Sequence, residues 1–148
     1  YGDFSVLKDR NFIIKNKNII LMKKLKYSEV HSILKRYHIA LMPYQNRVMV
    51  KSKNLEISKY ISPLKMFDYL AAGNIIIASR LKAYSHILKN NLNAVVISNR
   101  DLFSWKRNIY KILANPSKYN YMKKNALKTA KNYSWEIRDK KFLKFLNN

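Results

Sequence analysis

A short segment near the middle of the chain combines a helix start, a lysine and a carboxylate at a spacing that suits a nucleotide. Ser62 and Pro63 are typical of the N-cap and the first position of a helix, and Lys65 follows within the first turn. The free N–H groups at such an N-terminus, together with the helix dipole, favour an anion such as a diphosphate. Asp68 reaches the same side of the helix and can accept hydrogen bonds from the two hydroxyls of a ribose. These residues therefore predict a phosphate site with a diol acceptor beside it.

Simpler explanations of the same residues stay open. Ser-Pro-Leu-Lys begins many ordinary helices, Lys65 is compatible with a solvated side chain, and Asp68 is compatible with an i,i+3 ion pair to Lys65. The aromatic residues Phe67, Tyr69 and Trp135 are more typical of a core than of a ligand platform. The sequence pattern therefore supports a nucleotide site without requiring one.

The glycine, cysteine and histidine content excludes several other kinds of active site. The two glycines, Gly2 and Gly73, are too far apart for a G-x-G-x-x-G loop, a P-loop or a G-x-S-x-G elbow. The absence of cysteine excludes disulfides and a thiol nucleophile, and it favours an intracellular location. The three histidines have no metal-binding spacing, so we expect no metal site.

The chain is strongly basic, with 30 Lys+Arg against 8 Asp+Glu and a formal net charge of +22. Lysine predominates over arginine, and lysine supplies diffuse charge rather than the forked contacts that arginine makes to phosphate and guanine. Two interpretations remain: solvated faces, or an anionic partner such as nucleic acid or an acidic membrane surface.

The elements that must position the Ser62–Asp68 segment follow from the apolar pattern. Short apolar runs predict strands at residues 18–22, 39–42, 75–78 and 94–97. Helical spacing predicts helices at residues 29–37, 63–72, 84–89, 102–114, 116–132 and 134–146. The expected helix boundaries are Ser28 and Asp101 as N-caps and Gly73 as the residue that ends the helix from Pro63. That helix is expected to turn Leu64, Phe67, Leu70 and Ala71 inward, and residues 45–61 are expected to be a loop.

This order of elements predicts one α/β domain, in which a parallel sheet carries helices on both faces and an all-helical tail follows. Ligands of such sheets bind at the carboxyl ends of the strands, and the loop before Ser62 is expected there. No apolar run is long enough to span a membrane.

Residues 60–79 resemble the donor-binding segment of GT-B glycosyltransferases of the family-1 domain, family-4 type. The stretch Tyr60-Ile-Ser-Pro-Leu-Lys-Met-Phe-Asp-Tyr-Leu-Ala-Ala-Gly73, followed by Asn-Ile-Ile-Ile-Ala-Ser79, is similar to the family's P-L-K-x-F-E-Y-x-A-x-G and the strand after it. Flanking matches are Ile39–Tyr44 to D-V-A-L-x-P-Y, Asn18–Met22 to n-V-x-F-x-G, and Tyr133–Glu136 to y-S-W-e. The resemblance covers roughly residues 18–146.

The resemblance implies a Rossmann-like sheet that is the C-terminal half of a GT-B fold. Residues 1–148 would form a single, incomplete nucleotide-sugar-binding domain, with the N-terminal acceptor domain absent. Asp68 takes the place of the family's glutamate on the ribose hydroxyls. The backbone around Pro63 and Leu64, with Ser62 beside it, faces the diphosphate, and Lys65 is an auxiliary phosphate contact.

Tyr60 stands where many members of the family carry a glutamate near the transferred sugar. The implied reaction is hexosyl transfer from a UDP- or GDP-sugar to a glycan or lipid-linked acceptor in bacterial-type polysaccharide assembly, without a metal or other cofactor. We expect these residues alone to be inactive, because catalysis takes place between two domains and the general base belongs to the missing one.

The expected location is cytoplasmic, with peripheral contact at the anionic inner face of the cytoplasmic membrane and no specific nucleic acid. The alternative is a noncatalytic basic module that binds nucleic acid or an anionic membrane surface, which a steep dependence of DNA affinity on salt would favour.

Overall fold

The structure, a computed structural model, describes residues 15–45, 49–50, 55–56 and 62–146. Its helices are α1 (Tyr27–Leu34), α2 (Leu64–Ala72), α3 (Leu102–Ala114), α4 (Asn120–Asn132) and α5 (Trp135–Leu146). Its strands are β1 (Ile39–Met42), β2 (Met49–Val50), β3 (Leu55–Glu56), β4 (Ile75–Ser79) and β5 (Ala94–Ile97). Short 3₁₀ turns lie at Lys82–Tyr84 and Pro116–Tyr119.

The central feature is a parallel sheet in the order β1-β4-β5. Ile39 of β1 pairs with Ile75 of β4, and Ile76 of β4 pairs with Ala94 of β5. Every residue of β4 is buried, because this strand has a neighbour on each side and helices on both faces. The predicted strands at 39–42, 75–78 and 94–97 and the parallel α/β class are therefore confirmed.

Alternate residues of β4 enter two separate cores. Ile76 and Ala78 lie in a cluster with residues of α2 and α4. Ile75 and Ile77 lie in a second cluster with Trp105 of α3. Full burial of such side chains contributes about 1.5–3 kcal/mol each, so the period-2 alternation of one strand fixes helices on both faces.

The predicted strand at residues 18–22 is wrong. The backbone there begins with a turn, in which the Ile19 N–H donates to the Asn16 carbonyl at 3.0 Å, and Ile20 is largely exposed. None of the described strands lies beside this segment to accept its hydrogen bonds, so the apolar run does not join the described sheet.

Two helix starts differ from the prediction. The helix predicted at 29–37 is α1, whose N-cap is Lys26 rather than Ser28, because the Glu29 carboxylate reaches back to the Lys26 N–H at 2.9 Å. The next helix, α2, begins one residue later than predicted, so that Pro63 rather than Ser62 is its N-cap.

The inward face of α2 also differs from the prediction. Met66 and Leu70 are its fully buried residues, whereas Leu64 and Ala71 are exposed and Phe67 is partly buried. Met66 and Leu70, four residues apart, form the narrow stripe that packs on the sheet. The four residues that were predicted to face inward are spread more widely around the helix.

Gly73 ends α2 as predicted. Its φ of 69° is left-handed, its N–H donates to the Leu70 carbonyl at 3.1 Å, and the Asn74 N–H donates to the Tyr69 carbonyl at 3.1 Å. This pair of bonds is a Schellman motif, which turns the chain directly from α2 into β4.

Some of the remaining predictions are confirmed, and others are wrong. Asp101 caps α3 through a 2.9 Å bond from the Ser104 N–H, and this hydrogen bonding lowers the pKa of Asp101. The helical tail is confirmed as α4 and α5, after a 3₁₀ turn at Pro116. The predicted helix at 84–89 is wrong, because that region holds only the 3₁₀ turn at Lys82–Tyr84 and further turns. The predicted loop at 45–61 contains an antiparallel pair, β2 with β3, and its other residues apart from Gln45 lie outside the described ones.

Replacing Gly73 by Ala is expected to lower the free energy of unfolding by about 1–2 kcal/mol, measured by urea denaturation, because an L-residue is strained in the left-handed region. The new Cβ would also lie 3.3 Å from Leu127 Cγ. Gly73→Asn is the matched control: it adds the same Cβ but tolerates this conformation better, so it should lose less stability. An Ala variant as stable as the wild type would contradict the assigned backbone.

Candidate functional site

The N-terminus of α2 lies at the carboxyl edge of the sheet, because α2 leads directly into β4, which runs parallel to β1. The Lys65 ammonium confirms this placement: it lies 4.6 Å from the ring centroid of Tyr44, two residues beyond the end of β1. Met66 makes the first turn's bond, from its N–H to the Pro63 carbonyl at 3.0 Å. The N–H groups of Leu64 and Lys65 precede it and belong to the helix end that suits an anion.

Asp68 lies one turn along α2 and is partly buried. Its Oδ1 accepts a long hydrogen bond of 3.3 Å from the hydroxyl of Tyr27, the first residue of α1. The partner is thus a neutral hydroxyl from another helix, rather than the Lys65 ammonium that the sequence left open. A carboxylate accepts about four hydrogen bonds, so Asp68 keeps capacity for ligand hydroxyls.

Lys65 and Asp68 line the same cleft, which has a volume of about 760 Å³. Its walls are residues 20–25, α1, β1 and α2. Two further cations, Lys24 and Arg36, also line it. A cleft of this size suits a nucleotide, and its charge suits the phosphates.

Asn74 forms part of the same cleft and ties α1 to the sheet. Its side-chain amide donates to the carbonyls of Leu34 at 2.9 Å and Tyr37 at 2.8 Å. Leu34 is the last residue of α1 and Tyr37 follows in the turn after it, so Asn74 adds a partner where helix carbonyls have few internal ones. One buried amide therefore fixes the wall that carries Tyr27 against the helix that carries Asp68.

A second cavity, of about 630 Å³, lies where the three parallel strands end. Its lining includes Tyr44 after β1, Ser79 at the end of β4, and Asn99 and Arg100 after β5. Ser79 Oγ and Asn99 Oδ1 are buried and have no hydrogen-bond partner among the described residues. Because buried polar atoms are nearly always paired, a polar ligand that entered the cavity and reached these two atoms would give them partners.

Tyr44 lines the second cavity and contacts Lys65, which lines the cleft, and the Tyr84 ring packs against Tyr44. The Tyr84 ring lies 6.4 Å from the Tyr44 ring at an interplanar angle of 53°. The Tyr84 hydroxyl donates to the Ser79 carbonyl at 2.6 Å. Burial, and next the neighbouring Tyr44, raise the pKa of Tyr84, so this hydroxyl stays a neutral donor. Burial likewise raises the pKa of Tyr69, on the cleft side.

The sequence-predicted residues fall into three groups. Pro63, Leu64, Lys65 and Asp68 lie together along the first two turns of α2, with Ser62 exposed just before it. Tyr60 lies outside the described residues. Trp135, predicted as core, is exposed, because α5 turns none of its residues into the core.

Several lining residues were missed by the sequence analysis. Ser79 and Asn99 were detectable, because each lies at or just after the carboxyl end of a predicted strand. Lys24 and Arg36, which line the cleft, and Tyr27, which contacts Asp68, carried no such signal, because their place depends on how α1 and its neighbouring residues pack beside α2.

Among the described residues, no three His, Asp or Glu side chains group as a metal site would require. In the same part of the chain, none of the helices has the length and apolar content of a bilayer span.

The fold is similar to that of sucrose-phosphate synthase from Thermosynechococcus elongatus, a GT-B glycosyltransferase, with a TM-score of 0.67 and 14% sequence identity. The match covers 86% of this chain and 30% of that chain, so this chain spans less than a third of that protein's length. Fourteen chains of solved structures match significantly. No protein-family model and no curated protein matches the sequence. The likeness confirms the predicted Rossmann-like α/β fold of the GT-B type.

Stability is expected to fall as the pH rises above about 10, in part because of Tyr84. Folded Tyr84 keeps its proton to a higher pH than the unfolded residue, so its contribution is complete below the unfolded pKa of 10.0 and is lost as pH rises toward the folded pKa. Tyr84→Phe should therefore lose less stability than the wild type between about pH 9 and about pH 11 in urea denaturation. The exposed Tyr121→Phe is the control, and an equal change in both variants would exclude Tyr84 as the cause.

Proposed function

We propose that this chain is the nucleotide-sugar-binding part of a glycosyltransferase that uses a UDP- or GDP-sugar. The observation that carries the proposal is the shared cleft of Lys65 and the partly buried Asp68, on the first two turns of a helix whose N-terminus meets the carboxyl edge of the sheet. The resemblance of residues 60–79 to a donor-binding segment and the GT-B-type fold support it independently.

The diphosphate binds at the N-terminus of α2. The N–H groups of Leu64 and Lys65 donate to its oxygens, and the helix dipole favours its charge. The ammonium of Lys65 is held at this edge by the Tyr44 ring. Lys24 also lines this cleft, and Arg36 adds positive charge at the far end of the cleft, just before β1.

The ribose binds at Asp68. Its carboxylate accepts from both ribose hydroxyls, in a geometry that two carboxylate oxygens match. The Tyr27 hydroxyl, 3.3 Å from Oδ1, is weakly held and either joins the ligand or gives way to it.

The sugar extends past Tyr44 into the cavity at the strand ends. Ser79 Oγ can donate or accept there, and Asn99 Oδ1 accepts, so sugar hydroxyls would satisfy two buried atoms that have no partner among the described residues. The Arg100 guanidinium, which also lines this cavity, supplies further donors. Cleft, helix end and cavity thus follow the order ribose, diphosphate and sugar.

In transfer, the leaving diphosphate is stabilised by the α2 N-terminus and the cations around it. A second domain presents the glycan or lipid-linked acceptor and supplies the general base, as in polysaccharide assembly at the cytoplasmic side of a membrane. The 148 residues alone would then bind the donor without transferring its sugar. No metal takes part in this scheme.

Asp68→Ala is expected to weaken UDP or GDP binding by about tenfold or more in titration calorimetry, because it removes two hydrogen bonds to a charged acceptor. Asp139→Ala is the matched control: it removes the same charge from an exposed site on α5 and should leave the affinity unchanged. Asp68→Glu should retain binding.

The proposed site is wrong if neither nucleotide binds the wild type, or if the two alanine variants behave alike. Binding of a DNA duplex that is lost steeply with salt, without nucleotide binding, would favour the alternative basic module instead.

Asn99→Ala tests the sugar position. It is expected to weaken UDP-glucose or GDP-mannose binding several-fold while leaving the free nucleotide unaffected, because Asn99 Oδ1 lies in the second cavity and away from the ribose. Asn132→Ala, at the exposed end of α4, is the control. If Asn99→Ala lost the same affinity for the free nucleotide as for the nucleotide sugar, the sugar would not bind at Asn99.

A further inference from the structure

The outward face of α3 exposes four large apolar side chains. Their exposed fractions are 76% for Leu102, 72% for Phe103, 63% for Tyr110 and 52% for Leu113. The opposite face of the same helix is anchored in the core. Large apolar side chains are therefore exposed on the outward face of this helix as well as buried on its inner face.

Three cations share this outward face. Lys106, Arg107 and Lys111 are exposed, and two of them lie over its aromatic rings. The Arg107 guanidinium carbon is 5.6 Å from the Phe103 ring centroid, and Lys106 Nζ is 5.9 Å from that of Tyr110. Asp101, the N-cap of α3, interacts electrostatically with Arg107, and the sequence holds no further acidic residue until Glu136.

We propose that this α3 outer face binds an anionic phospholipid surface. The face is formed by Leu102, Phe103, Lys106, Arg107, Tyr110, Lys111 and Leu113. Apolar side chains enter the boundary between headgroups and acyl chains, and the cations beside them contact the phosphates. The charge of the face complements an anionic surface and opposes a basic one.

The mixture of side chains favours lipid over nucleic acid. Single strands are bound by stacking on aromatic rings, and duplexes by contacts to phosphates and base edges. Leu102 and Leu113 serve neither purpose, but both add apolar area to an interfacial helix. The helix is already folded and held by the core, so binding pays little ordering entropy.

Because α3 begins beside the cavity at the strand ends, the proposed lipid contact would also affect where that cavity lies relative to a membrane. Leu102, at the first turn of α3, also lines the cavity at the carboxyl ends of the strands. A membrane-bound α3 would keep that cavity close to the bilayer surface. Apart from Leu102, the lipid contact uses different residues from the proposed donor site, so the variants of Lys106, Arg107 and Lys111 test it separately from nucleotide binding.

Vesicle sedimentation of the whole chain tests the inference. The wild type is expected to bind phosphatidylcholine vesicles that contain phosphatidylserine at least about tenfold more tightly than pure phosphatidylcholine. The triple variant Lys106→Gln, Arg107→Gln, Lys111→Gln should lose about tenfold or more of that affinity. The double variant Leu102→Ala, Phe103→Ala should lose several-fold and keep its preference for anionic vesicles.

A charge-matched control separates this face from the diffuse charge of the chain. Lys35→Gln, Lys82→Gln, Lys89→Gln removes three exposed cations from other elements and should retain nearly all vesicle binding. The proposal would be overturned if the control and the α3 triple variant lost the same amount of vesicle affinity. It would also be overturned if both α3 variants bound vesicles as tightly as the wild type. Tighter binding of a short DNA duplex through the same α3 residues would overturn it in favour of nucleic acid.

Discussion

The parallel pairing of β4 between β1 and β5 is the constraint on which the rest of the structure depends. Because its five residues are all buried, β4 supplies apolar side chains to both faces and fixes the helices there. Its two ends carry polar groups instead. Asn74 at its start holds the end of α1, and the Ser79 carbonyl at its end holds the Tyr84 hydroxyl. The strand that makes the core is therefore flanked by Asn74, which lines the cleft, and ends at Ser79, which lines the cavity at the strand ends.

The backbone turn between α2 and β4 determines where the candidate site lies. Gly73 reverses the chain between α2 and β4, so α2 runs antiparallel to the sheet and brings its N-terminus to the carboxyl edge. Lys65 and Asp68 then face the groove beside β1, while Tyr44, in contact with the Lys65 ammonium, lines the cavity at the strand ends. An anion site arises here without a glycine-rich loop, because a helix end and its first turn supply the donors.

Elements whose identity depends on local pattern could be predicted from the sequence. The continuous apolar runs of β1, β4 and β5, the Gly73 terminus and the Asp101 cap each carry their own signal. The features that the sequence did not predict correctly share one cause: their structure depends on residues that are distant in the chain. Residues 18–22 have strand composition but no described neighbour to pair with, and Tyr27 reaches Asp68 only because α1 packs beside α2. The cleft could thus be located at α2, but its opposite wall could not.

The scarcity of acids makes the position of Asp68 informative. In a chain of formal charge +22, any anion is attracted to most surfaces, and a carboxylate in the cleft opposes a bound diphosphate by simple electrostatics. If charge alone governed binding, loss of that carboxylate would strengthen it. Hydrogen bonds to a ribose have the opposite effect, because the acceptor is then needed despite its charge. Whether nucleotide affinity falls or rises when the Asp68 carboxylate is lost therefore distinguishes a specific nucleotide site from a cleft that is only basic. The size of the change alone would not distinguish them.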